Sequence, residues 1–341
     1  MSGPMGVGVI GAGVISDTYL TNLTSFPDLR VLFVADLDTA RAAAQAAKFG
    51  VPSSGTVAEL LATPDIELVV NLTVPSAHVD VGLAALESGK HVWAEKPLAM
   101  DRQTGRKLLD RARERGLRVA SAPDTVLGAG LQTARRAVDA GTIGTPLSAL
   151  ALFQVPGPEI WHPSPEFLYQ PGAGPLLDMG PYYLTTLIQL FGPIRRVTGS
   201  GARAQDRRVI ASGPKAGTEF PVDVLMIFFR PAGVRARRLR PGRVQLRLQA
   251  RAAGPVGGHR FSFGTAVLPD PNKFRRQHPP ASRDEPEELA AQGQFRRARP
   301  GALELARSIR AGVPERASGE LATTSWTPCS PWRSPSPPAI P

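Results

Sequence analysis

The sequence predicts an α/β fold whose N-terminal part is a doubly wound parallel sheet. A glycine-rich turn directly follows the first apolar segment of strand length, within the first 16 residues. Beyond this turn, strand-like and helical segments alternate as far as about residue 120. Such alternation is typical of a parallel sheet covered by helices on both faces. The length of 341 residues suits two domains.

The first apolar segment, residues 7–10, leads into the pattern G-x-G-x-x-S formed by Gly11, Gly13 and Ser16. The first glycine of such a turn permits the tight bend, and the second lets the backbone approach a pyrophosphate. The third position must be small so that the following helix, predicted from residue 17 to 23, can pack on the strand. The pattern predicts a dinucleotide site at the helix N-terminus. A glycine turn in another kind of α/β unit is the alternative.

The second predicted strand, residues 31–35, ends at Asp36. An acidic residue about twenty positions after the glycines is expected to hydrogen-bond the ribose hydroxyls of the cofactor. Because its carboxylate would repel a 2′-phosphate, Asp36 favours NAD over NADP. Arg41 follows five residues later and leaves NADP as the alternative.

Polar residues recur where the predicted strands end. Helices are predicted over residues 39–49, 57–61, 76–88 and from residue 98 to 116, and strands over residues 66–71, 91–94 and 119–120. Ligands of open α/β sheets bind beyond the carboxyl ends of the strands. The residues at or just past these ends are Asp36, Thr73, Glu95, Lys96 and Asp124. The topology therefore predicts that they face one crevice.

Lys96 follows a strand and precedes a proline that restricts its backbone. Beside a bound NAD⁺ and a helix N-terminus, positive neighbours would favour the neutral form of this lysine. A neutral lysine can accept a proton from a substrate hydroxyl or hydrogen-bond to it. A surface lysine with a solvated head is the alternative.

A second chemical segment runs from Gly172 and Gly174 to Asp178 and Tyr182. The glycines are expected to allow close approach to a ligand. Asp178 and Tyr182 lie four residues apart and would share one face of a helix. An acid and a phenol beside a lysine form a plausible set for oxidising an alcohol. The alternative is that Asp178 caps the helix and Tyr182 fills the core.

Three motifs resemble the glucose–fructose oxidoreductase, inositol dehydrogenase and MocA (Gfo/Idh/MocA) family. They are the turn at residues 11–16, the run Gly-Lys-His-Val-x-x-Glu-Lys-Pro at residues 89–97, and the glycine-rich segment before Asp178. The resemblance, over roughly residues 5–223, implies an NAD(P)-binding Rossmann domain, placed at residues 1–123. It also implies an α+β substrate and oligomerisation domain with a mostly antiparallel sheet, placed at residues 124–325. Family members oxidise or reduce sugars, inositols or related polyols with NAD or NADP.

The resemblance also implies roles for individual residues. Lys96 matches the catalytic lysine, and Tyr182 stands where many members have a catalytic histidine, with His162 as an alternative acid or base. Thr73 and His78 match an element near the cofactor, although Val74 and Pro75 replace its proline and asparagine. The expected catalytic residues are Lys96, Asp178 and Tyr182; the cofactor-binding residues are Gly11, Gly13, Val14, Ile15, Ser16, Asp36, Thr73, His78, Glu95 and Lys96; the substrate-binding residues are Asp124, Trp161, His162 and Asp178.

The last third of the chain has a different composition. Residues 1–190 carry 14 basic and 18 acidic residues, whereas residues 191–341 carry 26 and 11. The run from residue 235 to 251 shows little strand alternation, and residues 326–341 are expected to be a disordered tail. Only residues 264–272 and 303–322 resemble the family again. We therefore hypothesise compensating frameshifts beginning near Asp223, so that residues 223–341 do not give the whole natural domain.

These observations favour an NAD-dependent dehydrogenase acting on a sugar, inositol or polyol. The alternatives are a nucleotide-binding protein without catalysis, such as a sensor or a decayed enzyme, and a nucleic-acid-binding protein. The arginine-rich region lacks an aromatic stacking pattern, which disfavours nucleic acid. We expect no membrane span, no signal peptide and no metal site, and the single cysteine, Cys329, suits a reducing cytoplasm. A homo-oligomer is expected if the second domain is intact.

Overall fold

The structure is a computed structural model that describes residues 3–141, 145–153, 155–194, 197, 199–229, 244–251, 263–268, 270–272 and 300–326. Its N-terminal part is a six-stranded sheet in the order β3-β2-β1-β4-β5-β6, with every neighbouring pair parallel. The strands are β1 (Met5–Ile10), β2 (Leu29–Ala35), β3 (Ser53–Gly55), β4 (Leu68–Asn71), β5 (His91–Ala94) and β6 (Val119–Ser121). The helices are α1 (Val14–Leu23), α2 (Thr39–Phe49), α3 (Val57–Ala62), α4 (His78–Glu87) and α5 (Arg102–Glu114).

This sheet confirms the predicted doubly wound fold. Every residue of β1 and β4 is buried, as expected for strands covered on both faces. The predicted bounds of α2 and β5 agree with the structure. Strand β3 was not predicted, because its sequence Ser-Ser-Gly carries no apolar pattern.

The second part of the chain contains an antiparallel sheet, as the family resemblance implied. Its elements are α6 (Ala129–Asp139), β7 (Thr145–Phe153), α7 (Gly174–Asp178), α8 (Gly180–Phe191), β8 (Ser200–Ala202), β9 (Arg207–Val209), β10 (Glu219–Pro221), β11 (Ile227–Phe229), β12 (Val244–Arg251) and β13 (Phe263–Leu268). Strand β12 lies between β7 and β13 and is antiparallel to both. Strands β9 and β10 pair with each other, as do β8 and β11.

Strand β12 corrects the expectation that residues 235–251 show little strand alternation. Apolar and polar residues alternate through Val244, Leu246, Leu248 and Ala250, a period of two that suits a sheet with one covered face. The arginine-rich residues before this strand obscured the pattern. The late strand and turn predicted over residues 264–272 appear as β13 and the turn at residues 270–272. The rest of the arginine-rich sequence, including residues 230–243 and 273–299, and the tail beyond residue 326 lie outside the described residues.

The C-terminal helices α9 (Gly301–Ala311) and α10 (Gly319–Trp326) return to the first domain. Leu303 and Leu305 are buried in the same apolar cluster as residues of β1, β4 and β5. Gly301 packs so closely on the Trp93 ring that a Cβ at this position would overlap the indole. A boundary at residue 124, as predicted, therefore does not separate two independently packed parts. The last helices of the chain complete the core of the N-terminal domain.

The N-terminal edge of the sheet is tied to α9 by charged side chains. Arg310 donates two hydrogen bonds of 2.7 Å to the Glu67 carboxylate. Nearby, the backbone N–H of Arg118 donates to Nδ1 of His91 at 3.0 Å. Burial lowers the pKa of His91, the positive charge of Arg118 lowers it further, and Glu67 partly offsets them. The folded protein therefore favours the neutral imidazole.

Within the described ranges, no helix combines the length and apolar character needed to cross a bilayer. In the same part of the chain, no group of three or more His, Cys, Asp and Glu side chains is arranged to hold a metal ion.

We predict that His91 makes the fold sensitive to acid. Because its pKa is lower in the folded state, the unfolded chain binds a proton that the folded chain does not. The contribution of the neutral His91 to the free energy of unfolding is complete above about pH 6.5 and is lost as the pH falls below that value. In His91→Asn, the amide oxygen keeps an acceptor for the Arg118 N–H but cannot titrate. Urea unfolding at about pH 8 and about pH 5 gives the free energy of unfolding at each pH. The decrease in this free energy from about pH 8 to about pH 5 should be smaller for the variant than for the wild type. Equal decreases would contradict the prediction.

Candidate active site

The glycine turn after β1 forms a cradle over the N-terminus of α1. Gly11 has a φ of +105°, and a Cβ at this position would lie 2.7 Å from the carbonyl carbon of Leu72. Gly13 begins α1 without a side-chain cap, and no atom lies within 4 Å of the place its Cβ would occupy. Helices α2, α3 and α5 are capped by Asp38, Thr56 and Asp101, whereas α4, like α1, has no side-chain cap. The open, uncapped helix end fits the pyrophosphate of a dinucleotide.

The three residues after Gly13 take different positions. Val14 is 91% exposed at the rim of the cradle, whereas Ile15 packs on the core. Ser16 is fully buried, and its hydroxyl donates to the carbonyl oxygen of Gly13 at 2.6 Å and accepts from Gln45 at 3.0 Å. Its small size serves the packing of α1, as the motif predicts.

Asp36 lies beside the cradle with both carboxylate oxygens occupied. One oxygen accepts from the N–H of Ala12 at 2.7 Å, and the other accepts from the N–H of Asp38 at 2.9 Å and from Arg41 at 2.6 Å. Burial raises the pKa of Asp36, but these hydrogen bonds outweigh it and hold the pKa below the ordinary value. Leu37, the next residue, is 97% exposed. In the folded protein, Asp36 is thus a carboxylate that is paired with Arg41.

The segment after β4 is joined to the segment after β5. Asn71 accepts from the N–H of Thr73 at 3.2 Å and from its hydroxyl at 2.7 Å, and donates to the carbonyl of His78 at 3.0 Å. The buried His78 ring lies 2.9 Å from the carbonyl oxygen of Thr73 and 2.6 Å from that of Pro97. His78 therefore links the two segments below the crevice. Asn71 was not predicted; the signal for it is a polar residue that ends an otherwise apolar strand.

Lys96 extends from the end of β5 toward the junction of α7 and α8. Its Nζ lies 2.5 Å from Oδ1 of Asp178 and donates to the Asp178 carbonyl oxygen at 2.9 Å. The centroid of the Tyr182 ring lies 5.6 Å from the same nitrogen. Asp178 ends α7 and Tyr182 lies in the first turn of α8, with Met179 keeping a helical backbone between them. The structure thus brings together the three residues predicted to be catalytic.

The charge of Lys96 differs from the expectation. Burial lowers the pKa of the ammonium, but the negative charge of Asp178, with Tyr182 and Glu95, outweighs it, so the pKa lies above that of an ordinary lysine. The prediction of a neutral lysine assumed only positive neighbours. Without cofactor, the pairing with Asp178 favours the ammonium form instead.

The two glycines at the start of α7 contribute to the packing of the protein itself. Gly172 has a φ of +89°, and a Cβ there would overlap the end of the Met100 side chain. Gly174 has a φ of +84° and lies against Val224. Gly172 therefore lets this segment pack against Met100 in the loop after Lys96, and Gly174 lets the start of α7 pack against Val224.

The remaining predicted residues lie in two other places. Asp124 is fully buried and accepts from the N–H of Gly301 at 3.0 Å, so it caps α9 within the core and does not face the crevice. Trp161 is 66% exposed and contacts the His162 ring edge-on. Nδ1 of His162 accepts from the N–H of Ser164 at 3.0 Å, which leaves the ring proton on Nε2 in the neutral form. This arrangement suits a hydrogen-bond donor better than a general base.

Comparison with known proteins agrees with this architecture. Residues 5–122 match the family model described as "Oxidoreductase family, NAD-binding Rossmann fold" under the name GFO/IDH/MocA. Residues 131–237 match the model of the GFO/IDH/MocA C-terminal domain. The second match extends past Asp223, the position near which the sequence departs from the expected pattern.

Two curated relatives are reductases or dehydrogenases of cyclic polyols and sugars. The chain is 37% identical over 213 residues to dTDP-3,4-didehydro-2,6-dideoxy-α-D-glucose 3-reductase of Streptomyces antibioticus, which covers 60% of this chain and 63% of the relative. It is 33% identical over 159 residues to inositol 2-dehydrogenase 3 of Saccharopolyspora erythraea, covering 46% and 47%. The chain therefore matches less than two thirds of the length of either relative.

Solved structures share the fold over nearly the whole chain. Apo levoglucosan dehydrogenase aligns with a TM-score of 0.69 at 20% identity, covering 96% of this chain and 95% of that one. GenD2 from gentamicin A biosynthesis, in complex with NAD, aligns with a TM-score of 0.64 at 21% identity, covering 96% and 93%. At these identities the likeness establishes the fold.

We predict that Asp178 sets the proton affinity of Lys96. In Asp178→Asn, the pKa of Lys96 should fall, because burial then acts against the ammonium with less compensation. The pH dependence of Lys96 acetylation, followed by mass spectrometry, measures this change. Glu166→Gln is the matched control, since it removes a carboxylate paired with another lysine, Lys215, at 2.7 Å. An unchanged Lys96 profile in Asp178→Asn would contradict the prediction.

Proposed function

The chain belongs to the GFO/IDH/MocA family of oxidoreductases, with an NAD-binding Rossmann domain at its N-terminus, and we propose that it transfers a hydride between NAD and a hydroxyl-bearing carbon of a sugar, inositol or related polyol. The observation that carries this proposal is the meeting of Lys96, Asp178 and Tyr182 at the carboxyl edge of the sheet that bears the glycine turn. The nicotinamide ring of the bound cofactor accepts or supplies the hydride.

Residues at three strand ends fit the cofactor. The N–H groups of α1 behind Gly13 suit the pyrophosphate, and the Asp36 carboxylate suits the ribose hydroxyls of NAD. The segment held by Asn71 and His78 lies between this region and Lys96 along the edge of the sheet. The same edge therefore binds the cofactor and carries the residues that handle the substrate proton.

Lys96, Asp178 and Tyr182 each have a different role toward the substrate. Asp178 is 35% exposed and Lys96 is 17% exposed, so the carboxylate presents the more accessible acceptor for a substrate hydroxyl. The ammonium of Lys96 lies beside this carboxylate, and its positive charge stabilises the alkoxide that develops on the substrate. Tyr182, 5% exposed and facing Lys96, exchanges the hydroxyl proton as acid or base.

We predict that Lys96→Met abolishes turnover and preserves binding of NADH. The methionine keeps most of the volume of the side chain but removes the ammonium that stabilises negative charge on the substrate oxygen, so kcat should fall by about 10²–10⁴-fold. Initial rates on a panel of inositols, aldoses and anhydrosugars, together with NADH titration by fluorescence, measure both properties.

Lys215→Met is the control, because Lys215 pairs with Glu166 and is not part of the proposed site. Activity retained in Lys96→Met would remove the lysine from the mechanism. Wild-type protein that binds NADH and turns over none of these substrates would instead support a nucleotide-binding protein without catalysis.

We predict that Arg41 determines how strongly NADPH is rejected. Its side chain is 51% exposed, and its guanidinium neutralises Asp36 and would offer a positive charge to a 2′-phosphate. In Arg41→Met the uncompensated Asp36 carboxylate should repel that phosphate, so NADPH affinity should fall by about tenfold and NADH affinity should change less.

Lys48→Met provides a matched control, because Lys48 is a second basic residue of α2 and pairs with Asp17 at 2.7 Å. Titration of each variant with NADH and NADPH gives the two dissociation constants. A parallel change in both constants would show that Arg41 does not discriminate between the cofactors.

A further inference from the structure

A buried chain of hydrogen bonds leads from helix α1 to the backbone of Lys96. The indole N–H of Trp93 donates to the hydroxyl of Tyr19 at 3.1 Å. The Tyr19 hydroxyl donates to one oxygen of Glu95 at 2.8 Å, and the other oxygen accepts from the N–H of Lys96 at 3.0 Å. Tyr19 and Trp93 are fully buried, and Glu95 is 8% exposed. This path was not evident from the sequence, since α1 was expected only to face the cofactor phosphates.

The chemistry of the groups fixes the direction of the chain. An indole N–H can only donate, so the Tyr19 oxygen must accept from Trp93. The single phenolic proton is then directed to Glu95. A buried carboxylate is costly unless its oxygens receive hydrogen bonds. Tyr19 and the Lys96 N–H supply one to each oxygen, which holds the carboxylate in one orientation next to the lysine.

Glu95 matters to the site through its charge. With Asp178 and Tyr182, it favours the ammonium form of Lys96 against the effect of burial. Asp178 is the more exposed of the two acids and is the one proposed to meet the substrate hydroxyl. When Asp178 turns to the substrate, Glu95 is the acid that keeps its place beside the lysine.

We propose that Tyr19 is a positioning residue of the active site, whose hydroxyl holds the Glu95 carboxylate against the Lys96 segment. The helix that faces the cofactor phosphates then also sets the charge and placement of the lysine. This inference rests on the proposed function, because it assigns Tyr19 a part in the reaction that Lys96 performs.

The tyrosine ring alone does not account for this arrangement. Phenylalanine would fill nearly the same volume against the core, so the hydroxyl serves the hydrogen bonds with Trp93 and Glu95 and not the packing. A second buried tyrosine offers a matched comparison: the hydroxyl of Tyr169 donates to Glu159, which is also paired with Arg208, and these three residues lie in the second part of the chain. Removing that hydroxyl makes the same chemical change away from Lys96.

The test is Tyr19→Phe, measured in the full-length protein. Its kcat on any substrate that the wild type turns over should fall on the order of tenfold to a hundredfold, and KM for NAD should stay within about twofold. The midpoint pH for acetylation of Lys96 should move to lower pH, because a less firmly held Glu95 attracts the ammonium less. Tyr169→Phe should leave kcat and the midpoint unchanged.

A double variant tests the route through Glu95. In a Glu95→Gln background, Tyr19→Phe should cause no further shift of the Lys96 midpoint. A wild-type midpoint in folded Tyr19→Phe would overturn the proposal. If Tyr19→Phe does not fold, Glu95→Gln alone decides, because an unchanged midpoint there would show that Glu95 transmits nothing to Lys96. Acetylation needs no turnover, so a wild type without activity would refute the proposed function and leave this test intact.

Discussion

The ion pair between Lys96 and Asp178 is the interaction on which the site depends. It joins a residue at the end of a strand of the parallel sheet to a residue at the end of a short helix in the second part of the chain. Lys96 is placed by a parallel sheet whose strands are buried on both faces. Asp178 is placed by a short helix, α7, and the segment before it turns at Gly172, whose φ of +89° favours glycine. The pair is partly buried, so each charge is costly alone and the two stabilise each other. The geometry of the crevice therefore depends on a contact between two residues that lie 82 positions apart in the sequence.

The end of the chain supports this contact from below. Helix α9 packs on Trp93, Trp93 donates to Tyr19, and Tyr19 donates to Glu95, which accepts from the Lys96 backbone. Asp124 caps the same helix from within the core. A sheet that looks complete after β6 thus depends on residues near 300 for its packing. An N-terminal fragment ending near residue 123 would expose the apolar surface that α9 covers, and for this reason the functional unit includes the C-terminal helices.

Local patterns in the sequence were enough to predict every strand of the parallel sheet except β3, and the position of Lys96 at the end of β5. A glycine turn, the end of an apolar strand and a cap residue are each short-range signals, and α2 and β5 were predicted with the bounds observed. What the sequence did not reveal depends on partners distant in the chain: Met100 lies against Gly172, and the N–H of Gly301 donates to Asp124. Strand β12 was missed for another reason, since its alternation stands at the end of an arginine-rich run whose composition favours disorder.

The charges at the site explain why one lysine would be surrounded by two acids. Asp178 and Glu95 both favour the ammonium of Lys96, yet they differ in exposure and in how they are held. Glu95 is buried, with one oxygen accepting from Tyr19 and the other from the Lys96 backbone. Asp178 is a third exposed and bonded to the lysine side chain itself. An acid that must exchange the lysine for a substrate hydroxyl has to be accessible, whereas an acid that maintains the charge during this exchange has to stay fixed. The two carboxylates therefore differ in environment in the way that the two tasks proposed for them require.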